Sequence, residues 1–147
     1  MIDEINDLIS DVPHKINDEA CIYVMSMKLY SSQETEGDIE QRVRSVFTTK
    51  VHVSGVEAAT DQQVLDSVRL AVTYTQSSPS PYMNTAENKN DARLIRKAIS
   101  NLLSGREKVY KFDFTRGTHP FCPIMWEFSY CVGFKKHTLV IVGAASD

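Results

Sequence analysis

The run His137-Thr-Leu-Val-Ile-Val142 constrains the fold more than any other stretch of this chain. Its apolar residues are consecutive rather than alternating, and three of the last four are β-branched aliphatics of the kind that pack in sheets. Such a run reads as a strand buried on both faces, as in the middle of a parallel sheet.

The rest of the chain supplies strands and helices in alternation. Ile2, Ile5, Leu8, Ile9 and Val12 recur at helical spacing, with Asp3, Glu4 and Asp7 in the first turns, where the helix dipole favours anions. This predicts a short amphipathic helix that Pro13 ends, within an N-terminal segment 1–18. Residues 21–27 read as a buried strand, 34–47 as a helix, and 50–54 as a short strand. A helix over 61–68 is capped by Thr60 or Asp61. Residues 70–75 read as a strand, with a continuing helix as the alternative. The Ser-, Pro- and Asn-rich stretch 76–89 reads as a long loop. A strong helix follows over 91–103, stopped by Gly105. Next come a strand over 108–114, a loop over 115–123 and a helix over 124–134. Strands alternating with helices imply crossover connections, hence one α/β domain over 19–147 with a mostly parallel, roughly five-stranded sheet. In such sheets ligands sit outside the carboxyl ends of the strands, so the loops after Met27, Phe114 and Val142 are the places to search.

Composition narrows the function classes. The 147 residues suit one domain, and 42% hydrophobic with 24% charged residues is an ordinary globular balance. A net charge of −3 is not the footprint of a protein that binds nucleic-acid polymers. No apolar run reaches the ~20 residues of a membrane helix, and no basic segment followed by an apolar stretch marks a secretory leader. The three cysteines form no C-x-x-C pair, which points to a reducing, cytoplasmic setting. No residues stand at metal-ligand spacing, and no glycine-rich cofactor loop is present, so neither metal nor cofactor is expected.

The candidate for chemistry is Glu127, in Pro123-Ile-Met-Trp-Glu-Phe-Ser-Tyr-Cys-Val-Gly133. Aromatic neighbours can desolvate such a carboxyl group and raise its pKa. Read alone, it also fits a glutamate that complements a helix N-terminus. His119, in the preceding loop, is a second acid–base candidate, and Asp113 is the closest carboxylate in sequence. Cys122 and Cys131 flank Glu127 and read as small core residues. Arg93, Arg96 and Lys97 form a basic turn that reads as a solvated face, with contact to a phosphate as the alternative.

Taken together, Val109-Tyr-Lys-Phe-Asp-Phe-Thr115, Pro120 to Pro123, Trp126-Glu-Phe-Ser-Tyr-Cys-Val-Gly-Phe-Lys-Lys136 and Leu139-Val-Ile-Val142 resemble the nucleoside 2-deoxyribosyltransferase family and its relatives, the deoxynucleoside monophosphate N-glycosidases. Ile22-Tyr-Val-Met-Ser26 resembles that family's first strand. The resemblance implies a flavodoxin-like three-layer sandwich, a homo-oligomer and a small nucleoside or nucleotide as substrate. It makes Glu127 the nucleophile at C1′, while the family's helper acid falls near Ile99 or Ser100, so that Asp113 is the closest carboxylate and Asp91 the next. Tyr23, Ser26, Asp91, Thr115 and Trp126 become the candidate substrate contacts. Where the family has glycine after its first strand and small residues near the glutamate, this chain has Met25-Ser-Met-Lys28, Phe128 and Cys131. Those differences imply the alternative of a catalytically reduced member that binds a nucleotide-like ligand or a protein. Trp126-Glu127 also resembles, more loosely, the TIR domain, which implies NAD glycohydrolysis and the same class of bond.

Overall fold

The computed structural model describes residues 2–16, 24–47, 50–73, 85–121 and 126–146. Its elements, in chain order, are α1 (Ile2–Ile16), β1 (Val24–Ser32), α2 (Ile39–Arg44), β2 (Val53–Ala58), α3 (Asp61–Thr73), α4 (Ala86–Leu103), β3 (Lys108–Phe114), β4 (Trp126–Gly133) and β5 (Thr138–Ser146). The strands form one five-stranded sheet in the order β1-β5-β4-β3-β2. Every neighbouring pair is antiparallel.

This overturns the flavodoxin-like, mostly parallel expectation, and two segments account for the error. The first is Trp126–Gly133, which reads by sequence as part of a helix and is strand β4. Its side chains alternate with period two. Phe128, Tyr130 and Val132 enter the larger core, while Cys131 enters the smaller one. Aromatic and β-branched residues suit a pleated surface, so this pairing wins over the short apolar run's helical reading. The second is 70–75, expected as a strand, of which Leu70–Thr73 is the last turn of α3. Between β2 and β3 the chain therefore makes a pair of helices, not a single crossover helix. A single helix returns the chain to begin a parallel strand, whereas a helix pair returns it to begin an antiparallel one.

The apolar run at 137–142 is nonetheless a central strand. β5 lies between β1 and β4. Leu139 and Ile141 face the larger core, and Val140 and Val142 the smaller one. Burial on both faces makes the run continuous, and it does so whichever way the neighbours point.

The larger core lies under α1, α3 and α4, which share one side of the sheet. It is built from Ile5, Ile9, Val68, Ile95 and Ile99 against Leu29, Val132 and Ile141. The smaller core lies under α2 and the segments around it, with Val43 and Val51 against Phe112, Phe114 and Cys131. Local signals set the helix starts. Thr60 accepts a hydrogen bond from Gln63 N at 3.2 Å while Gln63 Oε1 accepts from Thr60 N at 2.9 Å, a reciprocal cap on α3. Asp38 and Gln41 make the same arrangement on α2, which is shorter than the 34–47 expected. Thr85 caps α4 five residues before the expected start. α1 continues through Pro13, the expected end of the helix, to Ile16, although proline lacks the N–H that would bond to the preceding turn.

The outer edge of β1 is closed by a side chain. Asn6 Nδ2 donates to Leu29 O at 2.9 Å, and Leu29 N donates to Asn6 Oδ1 at 2.8 Å. One helical amide thus satisfies the two outward backbone groups of Leu29, in the middle of the edge that β1 presents. No helix among the described residues is long and apolar enough to cross a membrane.

Candidate functional site

His119 and Glu127 meet at the end of the sheet where β3 hands over to β4, and Asp113 stands on the opposite face of β3, near enough for its charge to act on Glu127. Asp113 is on β3, His119 is in the loop that follows, and Glu127 is near the start of β4. The loop owes its shape to its own polar groups and to the neighbouring segment. Thr115 N donates to His52 O at 2.8 Å, Thr118 N donates to Thr115 O at 2.9 Å, and the Thr118 hydroxyl reaches both Thr115 O and the His52 backbone. Gly117 takes φ +84°, which its lack of a side chain permits at the turn.

These bonds aim His119 inward. Its side chain is 8% exposed, against 47% for Glu127. Phe114 meets the imidazole edge-on with ring centroids 4.8 Å apart, and Phe121 lies at 6.0 Å. Phe121 N donates to Nδ1 at 2.9 Å. Nδ1 is therefore the acceptor, which leaves the ring proton on Nε2. Nε2 lies 3.5 Å from Glu127 Oε2 and makes no hydrogen bond. Burial pushes the His119 pKa down to about 4, so the ring is neutral at physiological pH. The contact is thus a neutral N–H facing a carboxylate rather than an ion pair.

Glu127 is shifted the other way. Partial burial raises its pKa, and the negative charge of Asp113 raises it further. Asp113 occupies space that β2 leaves open. A Cβ on Gly55 would lie 2.5 Å from Asp113 Oδ2, and Gly55 sits at φ +59°, where β2 shifts register against β3. The assembly is a carboxyl group with a raised pKa beside an imidazole with a fixed tautomer. It can hold or deliver a proton and can present a carboxylate oxygen to an electrophilic carbon.

The other sequence candidates divide by face and position. Ser26 joins the same row as Glu127, because Ala144 pairs with both. Two strand spacings put it about 10 Å away. Thr115 opens the His119 loop and is exposed. Trp126 points to the opposite face, where it stacks on Phe128 with centroids 5.9 Å apart and packs against the larger core. Asp91 lies on α4, in the layer beneath that face. Strand alternation and the sheet itself therefore separate Trp126 and Asp91 from Glu127. Tyr23 and Cys122 lie outside the described residues, as does most of the loop 76–89. Glu127 stands in a strand and not early in a helix, so no helix dipole acts on it.

Cys131 shares the face of Glu127, and burial pushes its thiol up to about 11. It is a core residue. His137 stacks on Phe134 with centroids 4.3 Å apart. No group of three or more His, Cys, Asp or Glu among the described residues could hold a metal ion. Phe114, Phe121 and Gly55 are the site residues that sequence reasoning missed. The alternation Tyr110/Phe112/Phe114 places aromatic side chains beside the His119 loop, and that pattern was the available signal.

No protein-family model, curated protein or solved structure matches this chain.

Proposed function

We propose that this protein cleaves or transfers the N-glycosidic bond of a nucleoside or (deoxy)nucleotide, with Glu127 as the working carboxylate. The observation that carries the reading is the contact of His119 with Glu127, whose pKa is raised by burial and by the charge of Asp113. The substrate class comes from the sequence resemblance; the flavodoxin-like framework is no part of the proposal.

The chemistry follows from the geometry. His119 Nε2–H faces Oε2 of Glu127 at 3.5 Å, and Oε1 is the other carboxylate oxygen available for attack. A carboxylate with a raised pKa is the stronger nucleophile once ionised. Attack at C1′ forms a C–O bond to Glu127 as the C–N bond breaks, and the electron pair leaves with the base, which takes a proton from solvent. Water, or a second base, then attacks C1′ and releases Glu127, and the proton lost by the attacking group returns to solvent. A homo-oligomer in the cytoplasm, acting on a small molecule and not on a polymer, belongs to the same reading.

The test is incubation with deoxynucleosides and deoxynucleoside 5′-monophosphates, with free base measured by chromatography. Base release that Glu127→Gln abolishes without a change in fold is the expected result. Absence of release and exchange, or equal release by Glu127→Gln, refutes it. A second reading is a ligand-binding protein without turnover. It is favoured by Met25-Ser-Met-Lys28, which has no glycine where the resembled family has one. A nucleotide-dependent rise in Tm with no base release selects it.

A further inference from the structure

The helical side of the sheet carries a second polar feature that the Glu127 site does not use. Residues 93, 96, 97 and 100 recur on α4 at i, i+3, i+4 and i+7, which places Arg93, Arg96, Lys97 and Ser100 along one stripe. With Leu65 of α3 they line a cleft of about 270 Å³ between the two helices. Three cations so spaced repel one another and weaken the helix slightly. Among the described residues none of the three has a carboxylate within ion-pair distance; Arg93 instead donates to the Asn90 side chain at 2.8 Å. Acids on the facing helix are engaged elsewhere: Asp61 with Arg106, and Asp66 with Gln62 at 2.7 Å.

Arg96 is the most telling member. It is partly buried, and its Nε is closed to solvent with no hydrogen-bond partner. A buried N–H without an acceptor is a standing cost that an incoming oxygen removes. The guanidinium fork fits the oxygens of a phosphate, a lysine adds a mobile point charge, and a serine hydroxyl can bond a third oxygen. The protein's net charge of −3 disfavours a long polyanion, while a small cleft with three unneutralised cations attracts a compact one.

We propose that the α3–α4 cleft is an anion site that binds a phosphate group carried by a small molecule. It is separate from the Glu127 site, because α4 packs on one face of the sheet while the Glu127 side chain stands on the other. The proposal therefore stands or falls independently of any glycosidic activity.

The experiment is thermal unfolding of the full chain with inorganic pyrophosphate and, separately, a deoxynucleoside 5′-monophosphate. NaCl holds ionic strength constant throughout. Binding raises Tm by about 5–10 °C at a hundredfold excess over Kd. Arg96→Gln combined with Lys97→Gln, which keeps good helix formers in α4, is expected to weaken binding at least tenfold. Arg96→Lys is expected to fall between the two, because it keeps the charge and loses the fork. Glu127→Gln is expected to bind as the wild type does. The proposal is overturned if neither phosphate compound shifts Tm beyond the salt control. It is equally overturned if the double variant responds like the wild type, if Glu127→Gln loses the response, or if only a single-stranded oligonucleotide binds.

Discussion

Replacing Asn6 with alanine tests whether α1 protects the sheet edge. The Asn6 amide makes two part-buried hydrogen bonds to the Leu29 peptide groups, at 2.9 and 2.8 Å. Each is worth about 1 kcal/mol net, and an unmatched, half-buried peptide group adds to that loss. Alanine returns about 0.5 kcal/mol through its better helix propensity. The expected net loss is about 2 kcal/mol, or about 4–8 °C in Tm for a chain of this size. Asn6→Asp separates the two bonds. It keeps an acceptor for Leu29 N–H and sets a carboxylate against Leu29 O, so it should be no better than alanine. Urea denaturation followed by circular dichroism, with the slope m held in common, gives the free energies. Size-exclusion chromatography of the same variants reports whether the bared edge pairs with a second copy. A loss under about 0.5 kcal/mol for Asn6→Ala, or an Asn6→Asp variant equal to the wild type, refutes the reasoning.

Three further outcomes follow from the site and the core. His119 has a folded pKa near 4, below its unfolded value, so the native state binds fewer protons between about pH 6.5 and 4. Its contribution is therefore lost as pH falls through that window, by about 3 kcal/mol at the acid end, partly opposed by Glu127, whose raised pKa acts in the other direction. His119→Gln should flatten urea-measured stability between pH 7 and 5, and an unchanged slope contradicts the burial account. Gly55→Ala should cost about 1–2 kcal/mol through its left-handed backbone and should displace the Asp113 carboxylate. The Glu127 pKa, read by carboxyl NMR, should fall toward its ordinary value in that variant; a pKa that stays put removes Asp113 as a cause. Phe112 is 1% exposed between Phe114 and the α2 layer, so Phe112→Ala should cost about 3–5 kcal/mol in denaturant. A loss below 1 kcal/mol would mean the smaller core is loosely packed.

Much of the local structure was legible in the chain. Lys108–Phe114 is a strand over the range expected, because its alternation is clean and Gly105 marks the preceding stop. Thr60 caps α3 as expected, since a cap depends on residues within one turn of each other. The nearness of His119 to Glu127 followed from their places in the chain, a loop and the element after it, although that element is a strand and not the helix expected. The face of Trp126 was not legible. A helical reading places Trp126 and Glu127 on adjoining positions of one surface, whereas a strand sends neighbours to opposite faces. The error in period thus became an error in the site.

The four consecutive apolar residues Leu139–Val142, three of them β-branched, pointed by themselves to a strand with both faces covered, because β-branched residues suit a pleated surface and none of the four can be left in water cheaply. They did not determine the direction of its neighbours. Hydrophobic patterning records how much of each face is buried, and the hydrogen bonds of parallel and antiparallel ladders use the same backbone groups whatever the side chains. Direction was decided by the tertiary structure. α3 and α4 pair between β2 and β3, and Trp126–Gly133 joins the sheet as the strand that aligns Glu127 with Ala144 and Ser26.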